Sequence, residues 1–269
     1  MRKDLKSDYN TDRKEGMIMS EIITKSSLVD THTHITPNVD DGASSPEMSL
    51  DMLRSEAEQG GSAIILTPHS SAFASSRLAA RTNENMRKIQ KAAADAGVPV
   101  RIYQGCEIYT YRGIMEILLR ELEYKVLPSM NGTRYILAEF DTDIGNLEDA
   151  KYCLHRYLKA GWIPIIAHAE RYCRTFATVE NIKILKEMGC LVQLNYYDLA
   201  EEPDDEVRAC AQALLQAELA DMMGSDAHRM DHRRPKLAKG ADYIREHCRP
   251  EYAEDVLWRN AEKLLLEVK

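Results

Sequence analysis

The sequence predicts an α/β fold, a single-domain, distorted parallel (β/α)7 barrel. About seven short apolar runs alternate with helix-forming segments across residues 28–269, and no linker interrupts the alternation. Short, almost continuously apolar runs are typical of parallel strands that are covered on both faces. Repeated right-handed crossovers lay each new strand beside the last, so a series of such units can close into a barrel. A length of 269 residues suits one domain of this kind.

Composition narrows the function classes. Apolar residues make up 44% and charged residues 29% of the chain, as in ordinary globular proteins. The formal net charge of −8 argues against nucleic acid as a partner, because nucleic-acid grooves concentrate basic charge. Six cysteines without Cys-x-x-Cys spacing indicate reduced thiols and a cytoplasmic location. No run approaches about 18 apolar residues, so we expect no membrane insertion.

The first residues differ from the rest of the chain. Residues 1–16 are almost wholly polar and cannot bury a face. We therefore predict that residues 1–27 are a disordered or poorly packed N-terminal extension and that residues 28–269 form the folded domain.

The first predicted strand begins at the apolar residues 28–29 and runs into the segment 30–42. Successive side chains of a strand alternate between its faces, so His32 and His34 project to the same side. Imidazoles are common metal ligands, and the Asp-Asp-Gly turn that follows adds carboxylate oxygens. The segment therefore predicts a metal site, although such a pair can also consist of ordinary polar residues at a strand end.

The remaining elements follow in alternation. A Ser-Ser-Pro-Glu sequence with Ser44 as the cap begins the first helix, and Gly60-Gly61 ends it. Gly97 and Gly189 end two later helices. The further predicted strands are residues 63–67, 98–102, 135–138, 162–167, 191–194 and 220–223. The helices between them are predicted at residues 83–96, 114–123, 147–160 and 179–188, and two or three more helices end the chain.

Side chains that can bind metal lie where the predicted strands end. Barrel enzymes assemble their sites from separate loops at this C-terminal face. Five of the eight histidines occupy these positions. The candidate ligands are His32, His34, Asp41, His69, Glu107, Glu139, His168, Asp226 and His228.

The size and chemistry of this set indicate the cofactor. Nine nitrogen and oxygen ligands exceed what one cation needs, so we expect two or three divalent metal ions. Glu107 and Glu139 are suited to bridge them. The mixture of imidazole and carboxylate without cysteine favours manganese, iron or zinc over a structural zinc bound by sulfur.

Six motifs together resemble a known family. In chain order they are Asp-x-His-x-His with a trailing Asp-Asp-Gly, Thr-Pro-His, Gly-x-Glu-Ile-Tyr, Glu-Phe, Ala-His-x-Glu-Arg-Tyr and Ser-Asp-x-His. The sequence resembles the polymerase and histidinol phosphatase (PHP) superfamily, and within it the bacterial metal-dependent tyrosine phosphatases of capsule and exopolysaccharide operons. The resemblance extends from about residue 28 to the C-terminus, and it implies a barrel of the PHP type.

The resemblance implies a role for each candidate. One metal would be bound by His32, His34, Glu107 and Asp226, a second by Glu107, Glu139 and His168, and a third by Asp41, His69 and His228. Arg171 and Arg233 match the phosphate-binding arginines of the family. Two departures affect the expected substrate contacts. Arg234 follows Arg233 directly, which leaves open which of them contacts phosphate, and Ser70 stands where relatives often have histidine or arginine.

The resemblance also implies the activity. It is that of a protein-tyrosine phosphatase, a phosphomonoester hydrolase in which a metal-bound hydroxide would attack phosphorus, with manganese as the expected metal and iron or zinc as alternatives. Arg171 and Arg233 would bind the phosphate oxygens during the attack. The implied partner is a phosphotyrosine-containing protein, namely the tyrosine-rich tail of a kinase that regulates capsular and extracellular polysaccharide synthesis.

Other activities fit parts of the sequence. A small-molecule phosphatase of the histidinol phosphate type, a nuclease or an inactive metal-binding regulatory scaffold could use the same metal site. An amidohydrolase would usually have a lysine on the fourth strand, but that strand ends in Glu139. Cys106 and Arg112 satisfy the Cys-x5-Arg spacing of cysteine-dependent tyrosine phosphatases. Bulky residues between them and the adjacent carboxylate of Glu107 disfavour a reactive thiolate.

Overall fold

Eight β-strands alternate with helices in the computed structural model, which describes residues 27–143, 145–202 and 204–267. All strand pairings in this part of the chain are parallel. The prediction of a single-domain α/β fold with parallel strands is therefore confirmed. The strands are β1 (Leu28–Thr33), β2 (Gly61–Leu66), β3 (Arg101–Gln104), β4 (Glu107–Tyr109), β5 (Tyr135–Glu139), β6 (Ile163–Ile166), β7 (Leu191–Asn195) and β8 (Met222–Gly224).

The strands form two sheets that meet at both edges. One sheet has the order β1-β2-β3 and the other the order β4-β5-β6-β7-β8. Beside β8, the amide of His34 donates to the carbonyl of Ala227 at 2.8 Å, and a parallel bridge joins Thr33 to Ala227. Beyond β2, the amide of Glu107 donates to the carbonyl of Pro68 at 3.1 Å. The strands therefore follow one another around a ring whose regular pairing is interrupted at these two junctions.

The third predicted strand, at residues 98–102, corresponds to β3, and β4 is an additional strand that was not predicted. β3 pairs with β2, whereas β4 pairs with β5. The chain changes its partner strand at Gly105, where an added Cβ would lie only 3.0 Å from side-chain atoms of Ile65 and Met130. The predicted strands do not include β4, because a local apolar run does not reveal that the chain changes its partner strand.

The predicted helices are present, and two further helices, α6 and α7 in the order below, lie between β7 and β8, where none was predicted. The α-helices are α1 (Pro46–Glu58), α2 (Ser76–Asp95), α3 (Met115–Glu123), α4 (Leu147–Lys159), α5 (Val179–Glu187), α6 (Tyr196–Ala200), α7 (Asp205–Gln216), α8 (Ala238–His247) and α9 (Pro250–Glu254). Two π-helical segments, Asp255–Arg259 and Glu262–Leu266, follow α9.

Serine caps set the starts of the first two helices. Ser45, and not the predicted Ser44, accepts a hydrogen bond from the amide of Met48 at 3.2 Å. Ser75 accepts from the amide of Leu78 at 3.2 Å, so α2 begins at residue 76 and not at the predicted residue 83. A side chain that satisfies a free amide of the first turn decides where each helix begins.

The strands bury both faces. On the outer face of β2, Ile64 packs in one buried cluster with Leu53 of α1. On the inner face, Ala63 belongs to a second cluster that includes Leu137 of β5. Along β5 the same face carries Leu137 and then Glu139, because alternate residues share a face. The apolar interior therefore gives way to polar side chains at the carboxyl ends of the strands.

Two further expectations concern regions outside this ring. The predicted N-terminal extension at residues 1–27 stays a prediction, because residues 1–26 lie outside the described part of the chain. None of the described helices has the length and apolarity that crossing a bilayer requires.

The inner cluster makes a stability prediction. Leu137→Ala leaves a cavity among buried side chains, so we expect it to lower the free energy of unfolding by about 2–5 kcal/mol. Ile184→Ala is the control, because the Ile184 side chain on α5 is 40% exposed and surface changes cost about 0.5 kcal/mol or less. Urea unfolding followed by circular dichroism measures both. Equal stability of the two variants would contradict the inner position of Leu137.

Candidate metal centre

The predicted ligands come together at one end of the strand ring. Because the paired strands are parallel, their carboxyl ends share one edge. His32 lies near the end of β1, and Glu139 ends β5. Glu107 is the exception, since it begins β4 after the break at residue 105. The other candidates lie in the segments that follow β1, β2, β6 and β8, and they are His34, Asp41, His69, His168, Asp226 and His228.

Four overlapping groups of candidate ligand atoms form at this end. In each group, one nitrogen or oxygen atom per residue lies within 4.8 Å of the others. In the described residues the groups are His34, Asp41, His69 and His228; His32, His34 and Asp226; His32, Glu107 and His168; and His69, Glu107 and Glu139. Because four residues belong to two groups each, the nine side chains form one continuous set, here called the ligand cluster.

Burial differs across the ligand cluster. The side chains of His32 and His34 are fully buried. On the opposite side of the cluster, the side chain of Asp41 is 68% exposed, that of His69 is 27% exposed and that of Glu139 is 21% exposed. The cluster therefore opens to solvent on the side of these three residues.

Buried acceptors orient the two central histidines. Nδ1 of His34 donates to Oδ2 of Asp40 at 2.9 Å. Nδ1 of His32 donates to Oε1 of Gln193 at 3.2 Å. The amide orientation of Gln193 is set by its Nε2 atom, which donates to the carbonyl of Leu194 at 2.8 Å. In its neutral form, each imidazole therefore presents an unprotonated Nε2 atom to the cluster.

The centre of the cluster collects electron-rich atoms. The two Nε2 atoms of His32 and His34 lie 3.3 Å apart. Oxygens of Glu107 lie 3.1 and 3.2 Å from them, and an oxygen of Asp226 lies 3.5 and 3.4 Å from them. Buried acceptors in such an arrangement are unfavourable unless positive charge lies between them. Divalent cations that take imidazole and carboxylate ligands fit this set.

Without such a cation, protons would have to supply the charge. Burial opposes charge on His34, yet its hydrogen bonds with Asp226 and Asp40 hold the pKa of the imidazole well above its ordinary value. Burial and the charge of Glu107 raise the pKa of Glu139 to about 7. A cation would favour the ionised carboxylate and the neutral imidazole, which are the metal-binding forms.

Two of the predicted arginines lie on the far side of Asp226. Arg171 donates through Nη1 to Oδ2 of Asp226 and through Nε to Oδ2 of Asp198 at 3.1 Å. Arg233 donates through Nη2 to the same Asp226 oxygen. Both guanidinium groups line a cavity of about 610 Å³, here called the arginine cavity. Arg234 also lines it, and in the described residues it forms no ion pair.

Sequence reasoning missed the residues that support the cluster from behind. Asp40 accepts from His34 and also from the amide of His69 at 3.0 Å. Gln193 accepts from His32 and also from the amide of His168 at 2.8 Å. The Asp-Asp-Gly turn was a signal for Asp40, because it contains two carboxylates and only Asp41 was predicted to be a metal ligand. Gln193 carried no sequence signal, because its role depends on the strand beside it.

Two buried carboxyl pairs also lie behind the site. They are Asp30 with Glu56 and Glu170 with Asp198. Burial, and then the neighbouring carboxylate, raise the pKa of Glu56 and of Glu170 well above the ordinary value. Asp30 accepts from the amides of His32 at 3.0 Å and Ser225 at 2.9 Å, which ties β1 to the segment after β8.

Three site residues have backbone angles that side chains rarely adopt. The φ angles are 31° at His168, 51° at Asp226 and 55° at Arg233. Such conformations cost about 1–3 kcal/mol each and persist only where the surrounding structure holds them. None of the three is glycine, the residue that favours such angles, so these turns could not be predicted from the sequence.

Comparisons with known proteins identify the family of the chain. A family model described as capsular polysaccharide synthesis, CpsB/CapC, matches residues 28–266. The tyrosine-protein phosphatase CpsB of Streptococcus pneumoniae is 28% identical over 245 residues, which cover 89% of this chain and 99% of that protein. The tyrosine-protein phosphatase YwqE of Bacillus subtilis is 31% identical over 206 residues, which cover 77% of this chain and 79% of that protein.

Solved structures share the fold. One chain from crystal structures of YwqE from Bacillus subtilis and CpsB from Streptococcus pneumoniae, described as unique metal-dependent tyrosine phosphatases, matches with a TM-score of 0.77. It is 29% identical, and the match covers 90% of this chain and 96% of that one. The resemblance to the metal-dependent tyrosine phosphatases of capsule operons is thereby confirmed. Because the family model matches most of its length, the chain belongs to the CpsB/CapC family of capsular polysaccharide synthesis.

Proposed function

We propose that this protein is a metal-dependent protein-tyrosine phosphatase. The observation that carries the proposal is the position of Asp226, which faces two histidines with one oxygen and two arginines with the other. Cations and guanidinium groups side by side are suited to the negative charge of a phosphoryl group. The relatives CpsB and YwqE are named tyrosine-protein phosphatases, which supports the same substrate class here.

The ligand cluster would hold the cofactor. We assign its nine residues to two or three divalent cations, with Glu107 and Glu139 as bridging carboxylates. Manganese is the proposed ion, and iron and zinc are the alternatives, because imidazole and carboxylate ligands suit all three. When bound, the cations would polarise the phosphoryl group and lower the pKa of water.

The arginines would bind the phosphate. Arg171 and Arg233 each have a planar pair of N–H donors that matches two phosphate oxygens. Their charge opposes the negative charge that develops in the transition state. Asp198 is fully buried and accepts from Nε of Arg171 at 3.1 Å, so it fixes the direction of that guanidinium group. Asp198 is therefore a positioning residue for Arg171.

The proposed substrate is a phosphotyrosine-containing protein, and specifically the tyrosine-rich tail of a kinase that regulates polysaccharide synthesis. The description of the family as one of capsular polysaccharide synthesis supports this assignment. We also propose a cytoplasmic location. It is supported by the six cysteines, which are all free, because disulfides are rare in that compartment.

Metal removal tests the proposal against cysteine chemistry. We expect a chelator to abolish phosphate release from a phosphotyrosine peptide and added Mn²⁺ to restore it. We expect Cys106→Ser to keep most of the activity, because the thiol is only 1% exposed and burial raises its pKa well above the ordinary value. Activity that survives chelation and is lost in Cys106→Ser would contradict the proposal. Faster turnover of histidinol phosphate or single-stranded DNA than of the peptide would favour the alternative substrates.

The arginine substitutions test phosphate binding. Lysine keeps the charge but loses the planar fork, so we expect Arg171→Lys and Arg233→Lys each to lower kcat/KM by about 100-fold. Arg234→Lys should lower it less, because this side chain is not held by Asp226. Arg245→Lys, on the outer helix α8, is the control. A larger loss in Arg234→Lys than in Arg233→Lys would assign the phosphate contact to Arg234.

A double-mutant cycle tests the positioning role of Asp198. We expect Asp198→Asn to lower kcat/KM by about tenfold in the parent enzyme and far less in the Arg171→Lys variant, because residues that act as a unit are not additive. Asp204→Asn is the matched control. Asp204 also pairs with an arginine, with its Oδ2 atom 2.7 Å from Nη2 of Arg174, but neither residue belongs to the ligand cluster. Equal losses from Asp198→Asn in both backgrounds would mean that Asp198 does not act through Arg171.

A further inference from the structure

A second cavity lies beside the open side of the ligand cluster. Its volume is about 390 Å³. Four aromatic side chains, Tyr109, Tyr111, Phe140 and Phe176, line it and define what is here called the aromatic groove. Phe140 and Phe176 are buried and pack edge to face with ring centroids 5.8 Å apart, so they form its floor.

Tyr109 joins this groove to the ligand cluster. It follows Glu107 by two residues on β4, so the two side chains share one face of the strand. In the parallel register, Tyr109 lies beside Glu139 of β5. Its amide also donates to Oγ of Ser70, the residue after His69, at 3.3 Å. Tyr109, which lines the aromatic groove, therefore lies beside the segments that carry the three ligands Glu107, Glu139 and His69.

Tyr109 and Tyr111 are partly exposed, so packing in the protein core does not account for their aromatic rings. Tyr109 is 39% exposed and Tyr111 is 49% exposed, and their ring centroids lie 5.9 Å apart. The hydroxyl of Tyr109 donates to Oδ2 of Asp141 at 3.1 Å, which fixes the direction of its ring. Adjacent exposed aromatic rings mark a binding surface, because their faces and edges can pack against another ring.

The arginine cavity is less suited to an aryl group. Its lining includes the charged groups of Arg171, Arg233 and Arg234. The ring of Tyr197 in that cavity is already covered by the ammonium group of Lys236, 4.2 Å from the ring centroid. A phosphorylated tyrosine presents a charged end and an apolar end, and the two cavities offer matching surfaces, one lined by arginines and the other by aromatic rings.

We propose that Tyr109 and Tyr111 bind the aryl ring of the substrate and so make the enzyme selective for aryl over alkyl phosphate esters. This inference rests on the proposed function, because it assumes that phosphate occupies the ligand cluster. Only the contacts in the aromatic groove depend on the aryl ring of the substrate. Phosphate binding by the arginines is independent of it.

Two phosphonates separate ring binding from phosphate binding. Phenylphosphonate and methylphosphonate cannot be hydrolysed at their C–P bond, so their affinities do not depend on the leaving group. We expect Tyr109→Leu and Tyr111→Leu each to raise the inhibition constant of phenylphosphonate by about fivefold to tenfold, the size expected for loss of an aromatic pair. The constant for methylphosphonate should change by less than about twofold. In the same two variants, KM for p-nitrophenyl phosphate should rise by about the same factor as the inhibition constant of phenylphosphonate. Their kcat should stay near that of the parent.

Two control variants test whether the effect depends on an aromatic ring in the groove. Tyr109→Phe keeps the ring and should retain the preference for phenylphosphonate. Tyr124→Leu removes a tyrosine that is 71% exposed and does not line the groove, and it should leave both inhibition constants unchanged. Equal increases for the two phosphonates, or no increase for either, would overturn the inference. If the metal-loaded parent enzyme hydrolysed no aryl phosphate at all, the proposed function itself would fail.

Discussion

The structure depends on the convergence of buried acceptor atoms at the centre of the ligand cluster. Nε2 of His32 and of His34 face each other and the carboxylates of Glu107 and Asp226. These four side chains come from β1 and the residue after it, from β4 and from the segment after β8, which are adjacent because the ends of the two sheets meet. The amide of Asp226 donates to the carbonyl of His32 at 2.8 Å, so the contact that joins the sheets also builds the site. Positive charge at this point would therefore stabilise the ring of strands as well as a bound phosphoryl group.

The supporting groups explain how the acceptors are held in this arrangement. An imidazole can present Nε2 to a cation only when another acceptor takes the Nδ1 proton. Asp40 does this for His34 and Gln193 for His32, and each also accepts from the backbone amide of a further ligand residue. One supporting side chain thus fixes a ring and a neighbouring strand end together. Its loss would leave a buried donor unpaired and a ligand free to rotate.

The sequence predicted the parts of the site that local periodicity controls. The alternation at His32 and His34 and the position of candidates after apolar runs were sufficient to find all nine residues of the cluster. It could not predict the break at Gly105, which depends on the approach of Ile65 and Met130. It also missed Gln193 and Asp198, because their partners lie 161 residues and 27 residues away in the chain. Local sequence patterns indicate which residues face the ligand cluster. The residues that support them are determined by contacts between strands that are distant in the sequence.

Asp226 links the two halves of the proposed chemistry. Its Oδ1 atom faces the histidines and its Oδ2 atom faces Arg171 and Arg233. Burial would raise the pKa of this carboxyl, but the charges of His32 and the two arginines hold the pKa well below its ordinary range, so it stays ionised. A single ionised carboxylate therefore sets the distance between the cation ligands and the phosphate-binding guanidinium groups. The backbone at this position is left-handed, with φ of 51°, and such strain persists only where the surrounding contacts hold it, as the histidines and arginines around Asp226 do.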